Sequence, residues 1–529
     1  MKVIFRKYES ITIFVLIVII VFGLFSRFYN IVDDNFVYFD EGKYLNTNRW
    51  FVSWIDQNIS SLGVVKLLKS LRVLVYLGLA TEKPLWYFFS DLRVFFLGEK
   101  AWFFPKLLSA IFGSLTVALV YLFSKKYYKC RWTAILAVAI LAVYPSHVYY
   151  SRLALQETAS AFFFLSGMYF YFFPRKFHFN TFLSGFFFAC TYLTNYRMII
   201  VPVFPALCEL YLALQNRRMP NFRKFIWNIL TCFTVIICLA ALKDGIHFKY
   251  IYAWVFMQIR WVSTNFNILK FLSYPYYIFK LEGIEIGVLF FLNFLLLFLK
   301  RTDIFLISFI AFFQMLLFSF PYEQALRYLC IIMPFIAMSV ARFIIFLFQQ
   351  SHLERYKPVF FIFVYLMFIG QILRINKILH FSTDHNKAII EILTDDQEAK
   401  ILTTVPSITG LLVKKGHFEK VPRTFYGFAQ LYNQGYRYLI VDPQIYVDHT
   451  FSGYRFDPNL IHYLQRIRKG IEPYRIFPHM EQALLERFVF DHTMDLKDSL
   501  SFLRLSQKNH WGELYVYSMD EIMKMERMF

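Results

Sequence analysis

The chain has 529 residues, of which 58% are hydrophobic, 21% aromatic and only 17% charged, and its mean hydropathy is +0.46. Repeated apolar runs of about 20 residues exclude a soluble globular protein and indicate a polytopic membrane protein. The net charge of +20 is uneven, because residues 380–529 hold 18 Lys and Arg against 19 Asp and Glu; with a neutral soluble module, nucleic acid is excluded as a partner and the excess belongs with membrane lipids.

The first apolar run, residues 11–28, follows Lys2, Arg6 and Lys7, which favour the cytoplasmic side. It is long for a signal-peptide core and no small-residue cleavage pattern follows, so it reads as a retained helix. An outer loop, 29–102, comes next. It holds an amphipathic stretch, Val64–Leu79, and an aromatic one, Pro84–Leu97, and both read as helices lying in the interface. Further spans are expected at 103–124, 132–149, 155–173, 179–194, 197–214, 225–242, 283–299, 303–320, 326–348 and 358–379, about eleven in all. Every second connection is basic: Lys125 to Arg131, Arg175 and Lys176, Arg217 to Lys224, Lys300 and Arg301, Arg355 and Lys357. All five fall on the side of the N-terminus, as the positive-inside rule requires. An odd number of spans then puts the tail on the opposite, outer side. A second outer loop, 243–282, is rich in Tyr and Trp, as expected at headgroup depth.

The tail, 380–529, reads as a small α/β domain. Lys400–Val405 and Tyr438–Asp442 have the composition of buried strands, Phe425–Asn433 between them has helical spacing, and Gly435 is its stop. Phe488–Asp491 and Leu514–Tyr517 read as further strands. The six cysteines lie in or beside apolar spans and suggest neither disulfides nor a metal site.

Four clusters of ionisable residues fall on the expected outer side. They are Asp40-Glu41, Glu82-Lys83-Pro84, Arg152 with Glu157, and the single cations Arg197, Arg260 and Arg327. Acids beside cations at a membrane surface suit a cavity that binds an anion and removes a proton. A phosphate leaving group needs cations such as Lys83, Arg260 or Arg327, and a hydroxyl nucleophile needs a carboxylate base. Each residue also has a plainer role open to it. Asp40-Glu41 would serve as a solvated loop pair, Arg152 as an interfacial anchor, and Arg197 and Arg327 as binders of lipid phosphate. Glu157 at the start of an apolar span needs a partner in any case. His247 stands alone and reads as structural.

The order of these pieces resembles the GT-C glycosyltransferases that use polyprenyl-phosphate sugars, which include the protein O-mannosyltransferases and the lipid A aminoarabinose transferases. The resemblance rests on Phe39-Asp40-Glu41 after the first span, Glu82-Lys83-Pro84 in the same loop, Arg152 to Glu157 opening a later helix, and Arg327-Tyr328 to Pro334 opening a late span. It covers residues 1–350. Two departures are Glu157, where Asp is usual, and Thr194-Asn-Tyr-Arg197, where a Thr-Lys pattern is commoner.

The resemblance implies a GT-C transmembrane catalytic domain over residues 1–379 and an extracytoplasmic α/β domain over 380–529. It implies an integral protein of a bacterial inner (plasma) membrane, with the active site on the extracytoplasmic side. The implied activity is inverting transfer of a sugar from a polyprenyl-phosphate or dolichyl-phosphate donor to a hydroxyl of a lipid, glycan or protein. Asp40 would be the base, with Glu41 in support. Lys83, Arg260 and Arg327 would bind the donor phosphate, and Glu82, Arg152, Glu157 and Arg197 would support the site. A divalent ion is left open through Glu82, Glu41 and Glu157, and no cofactor is established. The competing reading is a transporter or flippase for a lipid-linked saccharide. That reading calls for ionisable groups at midplane and paired repeats; here the charges gather at one face, and no repeat is visible.

Overall fold

The computed structural model describes residues 2–31, 41–42, 44–45, 83–92, 103–173, 177–216, 219–244, 267–293, 302–320, 325–414, 416–422, 424–443, 445–446, 458–492 and 495–527. Asp40, Glu82, Arg260, His247 and the stretch Val64–Leu79 lie outside them. Contacts divide the chain into two units. The first comprises Met1–Ile31, Asn48–Tyr322 and Arg327–Leu379, and the second comprises Val32–Thr47, Glu323–Leu326 and His380–Phe529.

The first unit is helical. Its helices are α1 (Lys2–Phe28), α2 (Pro84–Asp91), α3 (Phe104–Tyr128), α4 (Arg131–Ala142), α5 (Pro145–Ser151), α6 (Glu157–Phe172), α7 (Phe177–Thr194), α8 (Val203–Asn216), α9 (Phe222–Asp244), α10 (Ile268–Tyr277), α11 (Ile284–Leu292), α12 (Thr302–Leu317), α13 (Met333–Gln349) and α14 (Lys357–Leu379). Among the described residues, Phe104–Tyr128, Phe222–Leu239 and Leu353–Leu379 are each long and apolar enough to cross a membrane. Shorter apolar helices include Thr12–Phe28, Leu306–Leu317 and Met333–Gln349. Phe14 on α1 and Phe361 on α14 are exposed, as lipid-facing residues would be.

Close approach of helices is bought with small residues. A Cβ at Gly167 would sit 2.4 Å from the Phe188 ring. With no Cβ there, α7 approaches α6 closely enough for Ser184 Oγ to donate to the Gly167 carbonyl at 2.8 Å. Asn228 of α9 then donates to Ser184 Oγ at 2.8 Å.

Several spans read as single helices are broken. Residues 132–149 form α4 and α5, bent by 60°. Pro145 opens α5, and a proline cannot donate into the preceding helix. The expected spans 197–214 and 326–348 both open with 3-10 turns, Tyr196–Ile200 and Leu326–Ile331, before the α-helices start. Part of the expected loop 243–282 is also helical: α10 runs into a π-turn, Ile278–Glu282. Pro84–Leu97 does not lie exposed in an interface over its described part. Trp86 of α2 is fully buried in a cluster with Phe112, Ala159, Phe163 and Cys190.

The second unit contains α15 (His385–Asp395), β1 (Lys400–Thr403), α16 (Pro406–Thr409), β2 (Phe418–Lys420), α17 (Phe425–Asn433), β3 (Tyr436–Val441), α18 (Pro458–Gly470), β4 (Arg475–Pro478), α19 (Gln482–Phe490), α20 (Leu496–Lys508), β5 (Glu513–Ser518) and α21 (Met519–Arg527). The sheet order is β2-β1-β3-β5-β4. Strands β2, β1 and β3 are mutually parallel, and β5 runs antiparallel to both β3 and β4. Ile389 and Ile392 of α15 pack on Ile401, Ile440, Leu514 and Val516. Thr424 caps α17 by accepting from the Gly427 amide, and Gly435 takes the left-handed φ of +94° that ends the turn after it. Phe488–Asp491 is not a strand. Leu484, Leu485, Phe488 and Val489 are buried together in α19 at helical spacing, so the 3.6-residue period outweighs the local β-like composition.

Candidate active site

Helix α5 is the hub of the polar network in the first unit. At its far end, Arg152 is 4% exposed and donates to the Tyr29 carbonyl at 2.7 Å. Tyr29 immediately follows α1, so Arg152 fastens the start of the chain segment that leads to Asp40 and Glu41. Glu157 opens α6, where a carboxylate suits the positive end of the helix dipole, and it accepts from Gln156 Nε2 at 3.0 Å. The turn between them is tied to α3 twice. Ser109 Oγ donates to the Leu155 carbonyl at 2.7 Å, and Thr158 Oγ1 donates to the Ser109 carbonyl at 3.0 Å. Lys106, one helical turn before Ser109, is fully buried on the same helix.

The near end of α5 is held by residues that the sequence reading did not single out. Arg27 of α1 donates to the carbonyls of Leu141 at 3.1 Å and Ala142 at 3.3 Å, the open end of α4. The same guanidinium lies 2.8 Å from His147 Nδ1. A guanidinium only donates, so Nδ1 accepts and His147 is neutral with its proton on Nε2. Glu282 accepts from the Ser146 amide at 3.1 Å and also from the Ser146 hydroxyl. Gln371 of α14 donates to the Glu282 carbonyl at 2.6 Å, and Arg374 pairs with Glu285 at 2.7 Å. Gly113 leaves room for this crossing: a Cβ there would lie 2.2 Å from Ser151 Oγ. The signal for Arg27 and Glu282 was available, since an ionisable residue within or beside an apolar span marks a functional or paired site.

Lys83 is set by its neighbour Pro84. The residue before a proline is kept out of the helical region, and Lys83 has φ −143° and ψ 63° just before α2 begins. It is 8% exposed, and the burial of Trp86 one turn later fixes the helix that carries it.

Arg197 and Arg327 are brought together. Asn195 caps the turn at Tyr196–Ile200 by accepting from the Arg197 amide at 3.2 Å. The Arg197 guanidinium then lies 4.7 Å from the centroid of the Tyr328 ring, and the Arg327 guanidinium 6.0 Å from the same ring. Tyr328 packs on Phe318, whose carbonyl accepts from the Tyr274 hydroxyl of α10 at 3.1 Å. Two cations within reach of one tyrosine ring suit an anion such as phosphate.

Glu41 is fully buried and belongs with the second unit. Asp40, Glu82 and Arg260 are not among the described residues. Among the described residues no group of three His, Cys, Asp or Glu side chains is arranged to hold a metal ion, and Glu82, on which that reading leans, is not placed.

The family model for dolichyl-phosphate-mannose-protein mannosyltransferase matches residues 17–252. The chain superposes on the apo crystal structure of ArnT from Cupriavidus metallidurans with a TM-score of 0.53, at 12% identity, covering 84% of this chain and 95% of that one. The fold is that of the GT-C glycosyltransferases. The archaeal oligosaccharyltransferase AglB from Archaeoglobus fulgidus, in complex with an inhibitory peptide and a dolichol-phosphate, matches with a TM-score of 0.50 at 11% identity, over 84% of this chain and 70% of that one. The same oligosaccharyltransferase in complex with Zn and sulfate matches with a TM-score of 0.51 at 11% identity, over 85% and 71% of the two chains. No curated protein sequence matches the chain.

Proposed function

We propose that the chain is an inverting glycosyltransferase of the GT-C type. It moves a sugar from a polyprenyl-phosphate or dolichyl-phosphate donor to a hydroxyl acceptor on a lipid, glycan or protein, at the outer face of the membrane. The observation that carries the proposal is the convergence of Arg197 and Arg327 on Tyr328, in a fold whose relative AglB is in complex with a dolichol-phosphate. Paired guanidiniums suit a phosphate, which presents several oxygens to planar forks.

In this scheme residues 1–379 form the catalytic domain, and Lys83, Arg260 and Arg327 bind the donor phosphate, with Arg197 beside them. Asp40 takes the proton from the acceptor hydroxyl as its oxygen attacks the anomeric carbon. The bond from that carbon to the phosphate oxygen breaks, and the electron pair leaves with the phosphate, whose charge the cations stabilise. Glu41 supports Asp40. Arg152, held to Tyr29, sets where the loop leaves the membrane helix, and Glu157 and Glu82 shape the site or hold a divalent ion. The tail, 380–529, lies on the same outer side as the site.

The test is transfer by purified protein in lipid nanodiscs supplied with lipid-linked sugars. Acceptor-dependent release of the polyprenyl phosphate is expected. Movement of the intact donor between leaflets with no release would instead make the protein a flippase.

A further inference from the structure

In the second unit the acidic loop at Gly42 packs against α16. In open α/β sheets, ligands bind beyond the carboxyl ends of the strands where the strand order reverses. Here β2 and β3 flank β1 on opposite sides, so that point lies between the ends of β1 and β3. Thr403 ends β1, and just beyond the two strands stand Thr404 and Asp442, all three buried. Helix α16 starts immediately after β1, and the loop carrying Glu41 touches it. A Cβ on Gly42 would lie 3.1 Å from the Ser407 carbonyl oxygen and 3.1 Å from Ile408 Cγ1. Glu41 and Leu45 beside it are buried. A side chain at Gly42 would therefore press on α16.

A buried relay holds α16 in place. Asp442 Oδ2 lies 3.0 Å from His385 Nδ1 and 3.1 Å from His479 Nε2. His385 Nε2 lies 3.0 Å from Thr409 Oγ1. Thr409 is the last residue of α16, and its hydroxyl also lies 3.0 Å from that of Thr403 on β1. A carboxylate only accepts, so His385 Nδ1 donates to Asp442. Thr403 Oγ1 accepts from Thr409 Oγ1 and from the Val405 amide, the latter at 3.1 Å.

We propose that this node, Asp442–His385–Thr409, is a positioning device for the acidic loop: it fixes α16, and α16 fixes Gly42 and the adjoining Glu41. The inference rests on the reading of that loop as the source of the base.

The test compares Thr409→Val, which keeps the shape and loses the hydroxyl, with Thr409→Ser, which keeps the hydroxyl. Gly42→Ala acts from the loop side without touching the node. Two readouts are taken on the full chain in nanodiscs: the rate of trypsin cleavage after Lys43, identified by the mass of the new end, and the kcat for transfer alongside donor Kd. Thr409→Val and Gly42→Ala should each speed cleavage and lower kcat by roughly 3–10-fold, the scale of a net hydrogen bond, with donor Kd unchanged. Thr409→Ser should restore both. Faster cleavage of both variants, in a protein whose parent form transfers no sugar, would uphold the positioning contact and sink the glycosyltransferase reading. A folded Thr409→Val or Gly42→Ala protein with parental cleavage overturns the inference, whatever its turnover.

Discussion

Arg27 and His147 are joined across 2.8 Å inside the helical unit, and the join repairs a broken helix. Pro145 ends α4 early, and the Leu141 carbonyl keeps a long bond from the Tyr144 amide, at 3.3 Å, in place of the i+4 amide that Pro145 lacks. The guanidinium of Arg27 takes the carbonyls of Leu141 and Ala142 and the imidazole as well. Arg27→Met should destabilise the protein by about 3 kcal/mol, since it strands several buried acceptors at once. Arg27→Lys keeps the charge and loses the fork, so it should recover only part of this. Thermal unfolding in detergent gives the comparison. Equal unfolding temperatures for the methionine variant and the parent would show that the bend holds itself.

A second expectation concerns the cations around Tyr328. If Arg197 and Arg327 grip one phosphate, Arg197→Gln and Arg327→Gln should each weaken donor binding by about 1.5–3 kcal/mol. Residues sharing one partner couple, so the double variant should depart from the sum by about 0.5–3 kcal/mol. Donor affinity measured over the four proteins gives the coupling directly. Strict additivity would mean that the two guanidiniums serve different partners.

Lys83 is expected to act through charge. Lys83→Ala should weaken donor binding more than Lys83→Arg does, because a charged hydrogen bond is worth about 1.5–3 kcal/mol and arginine restores the charge with altered geometry. Parental donor binding by both variants would reduce Lys83 to an anchor for α2.

The parts of the fold legible in the sequence are those set by local pattern. Lys400–Thr403 and Tyr436–Val441 are strands and Phe425–Asn433 is a helix because apolar period and turn chemistry agree there. The bend at Pro145 was written in the sequence as a proline in an apolar run, but its neighbours allowed one long helix to be read through it. The repair by Arg27 needs α1 and α4 side by side, which no local pattern supplies. The site divides in the same way. Arg197 and Arg327 were legible as cations at span ends, while their meeting on Tyr328 depends on two turns far apart in sequence. The His385–Asp442–His479 cluster went unread because its members are spread over nearly a hundred residues and become neighbours only at the strand ends.

The Asp442 carboxylate gives the α/β unit a pH dependence. Burial alone would raise its pKa, but His479 and His385 outweigh burial and hold it well below the ordinary 3.8. The unfolded chain therefore takes up this proton at a higher pH than the folded chain. The stabilisation is fully present above pH 3.8 and is lost as the pH falls toward the folded value, at up to about 1.4 kcal/mol per pH unit. Asp442→Asn should flatten that acid slope and cost about 3 kcal/mol at neutral pH, as removing one member of a buried pair does. Hydrogen exchange in peptides covering β3 and β5, corrected for intrinsic rates, measures both. An unchanged acid slope in the asparagine variant would assign the dependence to other carboxylates.

The last prediction concerns Asp40. As the general base, its loss should cost turnover and leave folding intact. Asp40→Asn keeps size and polarity but cannot take the acceptor's proton. General base catalysis contributes about 10²–10⁴-fold, so kcat should fall by at least the lower figure. Donor binding should survive, because the phosphate is held by cations, and it should tighten slightly if a nearby negative charge is removed. Glu41→Gln should cost less if Glu41 only supports its neighbour. Glu41 is fully buried, so its variant needs a thermal-unfolding control to separate lost packing from lost chemistry. The measurement is the initial rate at saturating donor. A folded Asp40→Asn protein with near-parental turnover would remove Asp40 from the reaction. A larger loss in Glu41→Gln than in Asp40→Asn, at equal stability, would move the base to Glu41.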